Sequence, residues 1–283
     1  MSEFYNAQPL PPLNPNLDVS KNHYWSYHNI EALLSCKKPL TASQDEDLFI
    51  AVHQICEIAF NQMIADLERV LDNLATAIQD NTDPIIGDTS EACYFFGRIL
   101  RLYEVVITTM PILTTMRAFA EFRTTIGPTS GFQSFQFRQL EIMSGVRNPY
   151  WAGGTNDAQG NPHIAEVEFN RCYGNDVANW FERYRHHNLA YYYEILLNRV
   201  NRNSIEERIA NLLEHPHANA ILNCMRTYDD RQTRFHQAHL GLAVQQLKIV
   251  GVDVGTGGTS FRNYLAKYHQ ELAPLFPGLT ASR

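Results

Sequence analysis

Residues 44–74, "QDEDLFIAVHQICEIAFNQMIADLERVLDNL", carry apolar side chains at three- and four-residue steps, and this pattern restricts the fold more than anything else in the chain. One stripe runs Phe49, Cys56, Phe60, Met63, Leu67 and Leu71, and a second runs Leu48, Val52, Ile55 and Ala59. Such spacing is helical. A helix apolar over so wide an arc must be covered on more than one side, so other helices have to pack around it. The acidic opening Asp45-Glu46-Asp47 suits a helix N-terminus, where the backbone dipole favours negative charge.

Helical periodicity continues along the chain. A second long helix is expected over 91–124, beginning in "EACYFFGRILRLYEVVITTM", with Pro111 kinking or interrupting it because proline lacks the amide hydrogen. Further helical stretches are expected at 132–145, 164–200, 204–213 and 218–250. The connections are punctuated by "DNTDP", "GVRNPYWAGGTNDAQGNP" and "GVDVGTGGTS". No period-2 alternation is bracketed by turn signals, so no sheet is expected. Neither an internal repeat nor a composition shift marks a domain boundary. The expectation is an all-α fold: a single helical-bundle domain at 23–283, preceded by a proline-rich extended arm at 1–22.

Composition narrows the function. With 283 residues and 45% hydrophobic side chains there is ample material for a buried core. The formal charge of −7, without a dense Lys/Arg stripe, argues against a nucleic-acid partner. No apolar run reaches the roughly 18 residues of a membrane span, so no membrane partner is expected. The N-terminus lacks the basic start and apolar stretch of a signal peptide. Cys36, Cys56, Cys93, Cys172 and Cys224 are odd in number and without CxxC spacing, against a disulfide framework or structural zinc. They read as small buried apolar residues in a reducing, cytoplasmic setting. CxxCH is absent too, so any haem would be held without thioether bonds.

Four places could carry chemistry. His53 shares its helix face with Phe49, Cys56 and Phe60, which predicts a desolvated, neutral imidazole making one hydrogen bond. It is either a satisfied core histidine or a functional one. His236 and His239 share a face three residues apart, backed by Leu240, Ala243 and Leu247. HExxH is absent, so zinc is not indicated; one of them is either an axial haem ligand or a half-buried surface histidine. Arg123, beside Phe119 and Phe122, needs an anion if buried, and a substrate carboxylate or an internal acid would serve equally. The loop "GVDVGTGGTS" lacks the Lys-Ser/Thr of a phosphate loop, and reads as a mobile lid offering Thr256 or as a plain connection.

Together these residues resemble the tryptophan 2,3-dioxygenase family and, more distantly, indoleamine 2,3-dioxygenase. The resemblance rests on "YWSYHNIEALL" (24–34), "DEDLFIAVHQICEIAF" (45–60), "FRTTIGPTSGFQSFQFRQLE" (122–141) and "GTGGTS" (255–260) in the family's order. It implies an all-helical oxygenase binding b-type haem through one proximal histidine, with tryptophan and O₂ as substrates and N-formylkynurenine as product. It also implies a homotetramer or homodimer in which the N-terminal arm helps complete a neighbour's site. By position, His53 looks like the distal histidine that meets the indole N–H, Phe49 like the aromatic wall and Arg123 like the carboxylate clamp. Thr256 looks like the lid residue on the amino-acid head group. Ser130 and Gly131 would line the distal side of the haem, Ile126 would contact substrate, and Tyr24 and Tyr27 would belong to the arm. On this reading the Gly-Pro-Thr-Ser-Gly turn brings backbone close above the haem plane, Phe132, Phe135 and Phe137 anchor the following helix, and its glutamines satisfy buried polar groups.

The chain departs from the family in places. Ala59 replaces a large aromatic, His28 replaces a leucine after the second arm tyrosine, and Phe119 stands where tyrosine is frequent. Counting back from GTGG places the proximal position at Leu242, so His239 is the expected iron ligand, with His236 in reserve. These changes leave two alternatives open: a monooxygenase making an oxindole from a substituted tryptophan such as β-methyl-tryptophan, and a non-catalytic haem or indole sensor.

Overall fold

The structure, a computed structural model, describes residues 19–80, 82–126, 133–146, 164–251 and 274–279. By its internal contacts the chain divides into Met1–Pro39 and Leu40–Arg283. In the first unit a 3-10 turn, Val19–Lys21, precedes α1 (His23–Tyr27) and α2 (Ile30–Ser35), neither of which buries a residue. Asn22 caps α1, its side chain accepting the Trp25 amide at 3.1 Å. His28 closes it, its ring against Tyr24 at 4.7 Å and Tyr27 at 5.0 Å. Residues 1–18 of the expected arm lie outside the described residues.

In the second unit the periodic stretch forms α3 (Gln44–Gln79), five residues longer than the pattern predicts. Its acidic first turn has specific work. Glu46, almost fully buried, accepts the amides of Leu40 and Thr41, each at 2.7 Å. The expected helix over 91–124 is three pieces, because Pro111 cannot continue the ladder. They are α4 (Ser90–Thr109), a 3-10 segment at Met110–Thr115 and α5 (Phe119–Arg123). Asp45 joins α5 back to α3: its Oδ2 accepts the amides of Arg117 at 2.7 Å and Ala118 at 2.6 Å.

Next comes α6 (Phe135–Ser144). It ends where the Gly145 amide bonds Ile142 O at 3.0 Å and the Val146 amide bonds Glu141 O at 3.1 Å. Gly145 needs to be glycine: its φ is +100°, and a Cβ there would lie 2.4 Å from that of Ala190. The predicted stretch 164–200 is two helices, α7 (Ile164–Arg183) and α8 (Leu189–Arg199). Asn188 makes the break, accepting the Tyr191 amide at 2.9 Å while donating to Tyr184 O at 2.7 Å. Two more helices, α9 (Ile205–Glu214) and α10 (Pro216–Val250), complete the described elements.

The fold is all-α, with no strand among the described residues. α3 and α4 pack along each other, and α6 and α10 cover them. Met63, Leu67 and Leu71 meet Phe96, Ile99, Leu140, Met143, Ile221 and Tyr228 in one core. A buried carboxylate, Asp66, ties the first pair, taking Arg98 at 3.0 Å and Arg69 at 3.1 Å.

By length and mean hydropathy alone a window of α3 is apolar enough for a membrane span, and in this fold its core stripe is packed against neighbouring helices. One expectation is corrected here. The cysteines are not uniformly buried: Cys56 is, Cys93 and Cys224 are half-buried, and Cys36 and Cys172 are exposed.

Candidate active site

The first two turns of α3 set the geometry. The ring of Phe49 lies 4.2 Å from that of His53, one turn on, at an angle of 44°. His53 Nδ1 is 2.7 Å from the Phe49 carbonyl oxygen. A carbonyl only accepts, so Nδ1 carries the hydrogen, and the neutral ring keeps its lone pair on Nε2. Burial lowers the His53 pKa, outweighing the Phe49 carbonyl and the charge on Glu57, which act the other way. The expected neutral imidazole is therefore present, and it presents an acceptor.

α5 brings the second set of residues to this turn. Phe122 is fully buried and meets Phe49 edge-on at 5.7 Å; Phe119 lies 6.1 Å from Phe49 and 5.4 Å from Phe122. Arg123 ends α5 half-buried, and Ile126 packs against the core three residues later. The α5 segment is positioned by the two Asp45 hydrogen bonds, so the first turn of α3 holds the strip that carries the expected carboxylate clamp. Sequence reading assigned Asp45 only a helix-dipole role. Its clamping role could not be read, because the partner amides lie more than seventy residues away.

α6 and α10 supply the third side. Gln136 Nε2 donates to the Glu57 carbonyl at 2.8 Å and to its carboxylate at 2.9 Å, fixing α6 one turn beyond His53. This is the role expected of the glutamines, although Gln133 is exposed. Phe137 is the anchor: it packs on Phe60 at 5.4 Å and on Phe235 at 5.1 Å. Phe135, expected to share that role, is partly exposed and rests against Tyr173 and Trp180 of α7.

Phe235 stacks on His239, the rings 20° apart with centroids at 6.3 Å. Burial pushes His239 down to about 4, and the proximity of His53 and Arg138 pushes the same way. The imidazoles of α3 and α10 thus act on one interior region, both half-buried. His236 meets the same aromatic cluster, 5.6 Å from Phe137 and 5.9 Å from Phe235. Leu242, where counting places the proximal residue, is a buried apolar side chain one turn beyond His239. Arg138 was not singled out from sequence. It is buried, paired with Glu141 at 2.9 Å and 4.9 Å above Phe137. Its signal was an arginine framed by apolar neighbours with an acid three residues on.

Tyr24 and Tyr27 lie on α1 in the N-terminal unit, both exposed. Ser130, Gly131 and Thr256, together with Phe132, lie outside the described residues.

Comparison with known proteins bears on this arrangement. The family model described as tryptophan 2,3-dioxygenase matches residues 13–192, which include His53, Arg123 and the whole SGFQS block. A tryptophan 2,3-dioxygenase of Anaeromyxobacter sp. (strain K) is 34% identical over 153 residues, 52% of this chain and 54% of that relative. The match thus spans about half of that relative's length. Proteins of the same name from Burkholderia multivorans and Herpetosiphon aurantiacus match at lower identity over more of the chain. The former is 25% identical over 94% of this chain and 84% of its own length. The latter is 24% identical over 92% and 96%.

Proposed function

This chain belongs to the tryptophan 2,3-dioxygenase family, and from that premise we propose that it is a haem-dependent oxidoreductase adding O₂ across C2–C3 of the indole of L-tryptophan or a substituted tryptophan, with an N-formylkynurenine-type product. One observation carries the reading. His53 keeps Nε2 as an acceptor beside the Phe49 ring, in the region that His239 also influences.

The residues present fit a b-type haem. His239 is neutral, as a nitrogen ligand must be, and aromatic rings back it. His239 would hold the iron, and Ser130 and Gly131 would line the distal side. When bound, the haem supplies the O₂-activating chemistry.

The chain's own residues do the rest. His53 Nε2 accepts the indole N–H, which fixes the ring's orientation, and Phe49 walls it. Arg123 pairs with the substrate carboxylate through two parallel bonds. Thr256 meets the head group, and Ile126 completes the apolar side. Holding the reacting groups in place is worth roughly 7–11 kcal/mol of barrier when alignment is good. The arm at 1–22, with Tyr24 and Tyr27 beyond it, belongs to an assembly of two or four copies in a cytoplasmic setting.

A second reading is favoured by Phe119. It replaces the hydroxyl of the tyrosine frequent there with an apolar edge against Phe49. The indole's surroundings change while the head-group contacts stay, which suits a monooxygenase of a ring- or β-substituted tryptophan giving an oxindole. Product mass under ¹⁸O₂, with L-tryptophan and β-methyl-tryptophan run in parallel, separates the two. Two labelled atoms support ring cleavage and one supports the oxindole. No oxygenated product from any tryptophan analogue, with haem and reductant present, rejects both in favour of a silent binder.

A further inference from the structure

Cys93 on α4 and Cys224 on α10 are both half-buried and take no part in the site described above. The packing of the two helices brings them together. Thr89 Oγ1 donates to the carbonyl of His217 at 3.0 Å, and the rings of Phe96 and Tyr228 meet at 6.0 Å. The turn bearing Cys93 therefore lies against the turn bearing Cys224, close enough for each thiol to shift the other's ionisation. From this juxtaposition we propose that Cys93 and Cys224 form a reversible disulfide when the protein meets hydrogen peroxide, and that the bridge clamps α10 to α4.

The pair divides the chemistry unequally. The neighbouring Cys224 thiol pulls the Cys93 thiol down to about 7, against burial and the nearby Asp88 charge, while Cys93 and burial push Cys224 up. Cys93 is thus the attacking thiolate and Cys224 the resolving thiol. The Cys93 sulfur attacks one peroxide oxygen. The S–O bond forms, the O–O bond breaks, and hydroxide takes a proton from solvent to leave as water. Cys224 sulfur then attacks Cys93 sulfur. The S–S bond forms, the S–O bond breaks, and the departing hydroxide carries off the Cys224 proton as a second water. Two electrons pass from the thiols to the peroxide, and a dithiol returns them. The other thiols are in different settings: Cys36 and Cys172 are exposed, and Cys56 is buried and pushed up to about 12. Joining positions so distant in sequence restricts the unfolded chain, so the oxidised form melts higher.

The test uses the purified full-length protein, titrated with hydrogen peroxide and digested without reductant. A peptide linking Cys93 to Cys224, released by dithiothreitol, is expected, together with a higher melting temperature before release. In Cys224→Ser, Cys93 is expected to accumulate as a sulfenic acid trapped by dimedone. Should that variant fail to fold, alkylation of the wild type by iodoacetamide at neutral pH still decides: Cys93 should react several-fold faster than Cys36 or Cys172. Oxidation of Cys93 to sulfinic acid without a cross-link overturns the proposal, as does peroxide consumption at Cys36 and Cys172 with the pair left reduced. A cross-link without any rise in melting temperature overturns the clamp.

Discussion

The Nδ1–H of His53 donates to the carbonyl oxygen of Phe49 across 2.7 Å, and this bond decides which nitrogen the ring offers a ligand. With Nδ1 committed, Nε2 accepts. His53→Ala should lower kcat/KM for tryptophan by roughly five- to a hundredfold, the range for an indole N–H left without its acceptor. With 1-methyl-tryptophan, which has no such hydrogen, wild type and variant should differ far less. Burial lowers the ring's pKa below its ordinary 6.5, so kcat/KM should stay level as pH falls to that value and decline only below it. An acid limb centred above 6.5 would mean that His53 is not the acceptor.

Asp45 holds the α5 strip by two backbone amides, 2.7 and 2.6 Å from one carboxylate oxygen. Asp45→Ala leaves both amides without that partner and should cost about 1–3 kcal/mol in urea unfolding. If Arg123 clamps the carboxylate, the same variant should raise KM for tryptophan more than it lowers kcat. It should have little effect on tryptamine, which lacks the carboxylate. Equal losses on both substrates would separate Asp45 from the clamp.

How much of this could be read from the chain depends on the range of each signal. The wide apolar arc of α3 and the proline that breaks 91–124 are local, and both appear where the residues place them. The break at Tyr184–Asn188 was missed because Asn188 interrupts an otherwise continuous helical pattern by bonding in two directions at once. His53 was legible from its apolar neighbours, but its tautomer was not, since that depends on a backbone carbonyl meeting a particular rotamer. The preference for His239 over His236 rests on its spacing to GTGG, whereas the burial that keeps its ring neutral depends on how α10 packs. Asp45 escaped notice because its partner amides lie far along the chain, whereas the Arg138–Glu141 pair is local and was readable as an arginine with an acid three residues on.

Phe137 joins three helices, its ring against Phe60 of α3 and Phe235 of α10. Phe137→Ala should destabilise the protein by about 3–5 kcal/mol, as loss of a buried aromatic does when the site cannot collapse. Phe235 in turn stacks on His239, so the variant should also bind added haem more weakly, read as loss of the Soret band on gel filtration. Unfolding unchanged within 1 kcal/mol would show that α6 is held by Gln136 and Glu57 instead.

Glu46 gives the fold a dependence on acid whose sign is fixed. Its carboxylate accepts the Leu40 amide, the largest influence on it, and the Thr41 hydroxyl and amide, so its pKa lies below the ordinary 4.5. A carboxyl lower in the folded than in the unfolded chain contributes fully above 4.5, and that contribution disappears as pH falls through the folded value. Glu46→Gln keeps one oxygen acceptor but has no charge to lose. In urea titrations at a series of pH values the wild type should therefore be the more stable at neutral pH, with the gap narrowing below 4.5. A gap that stays constant with pH would mean that shape, not the carboxylate charge, secures the start of α3.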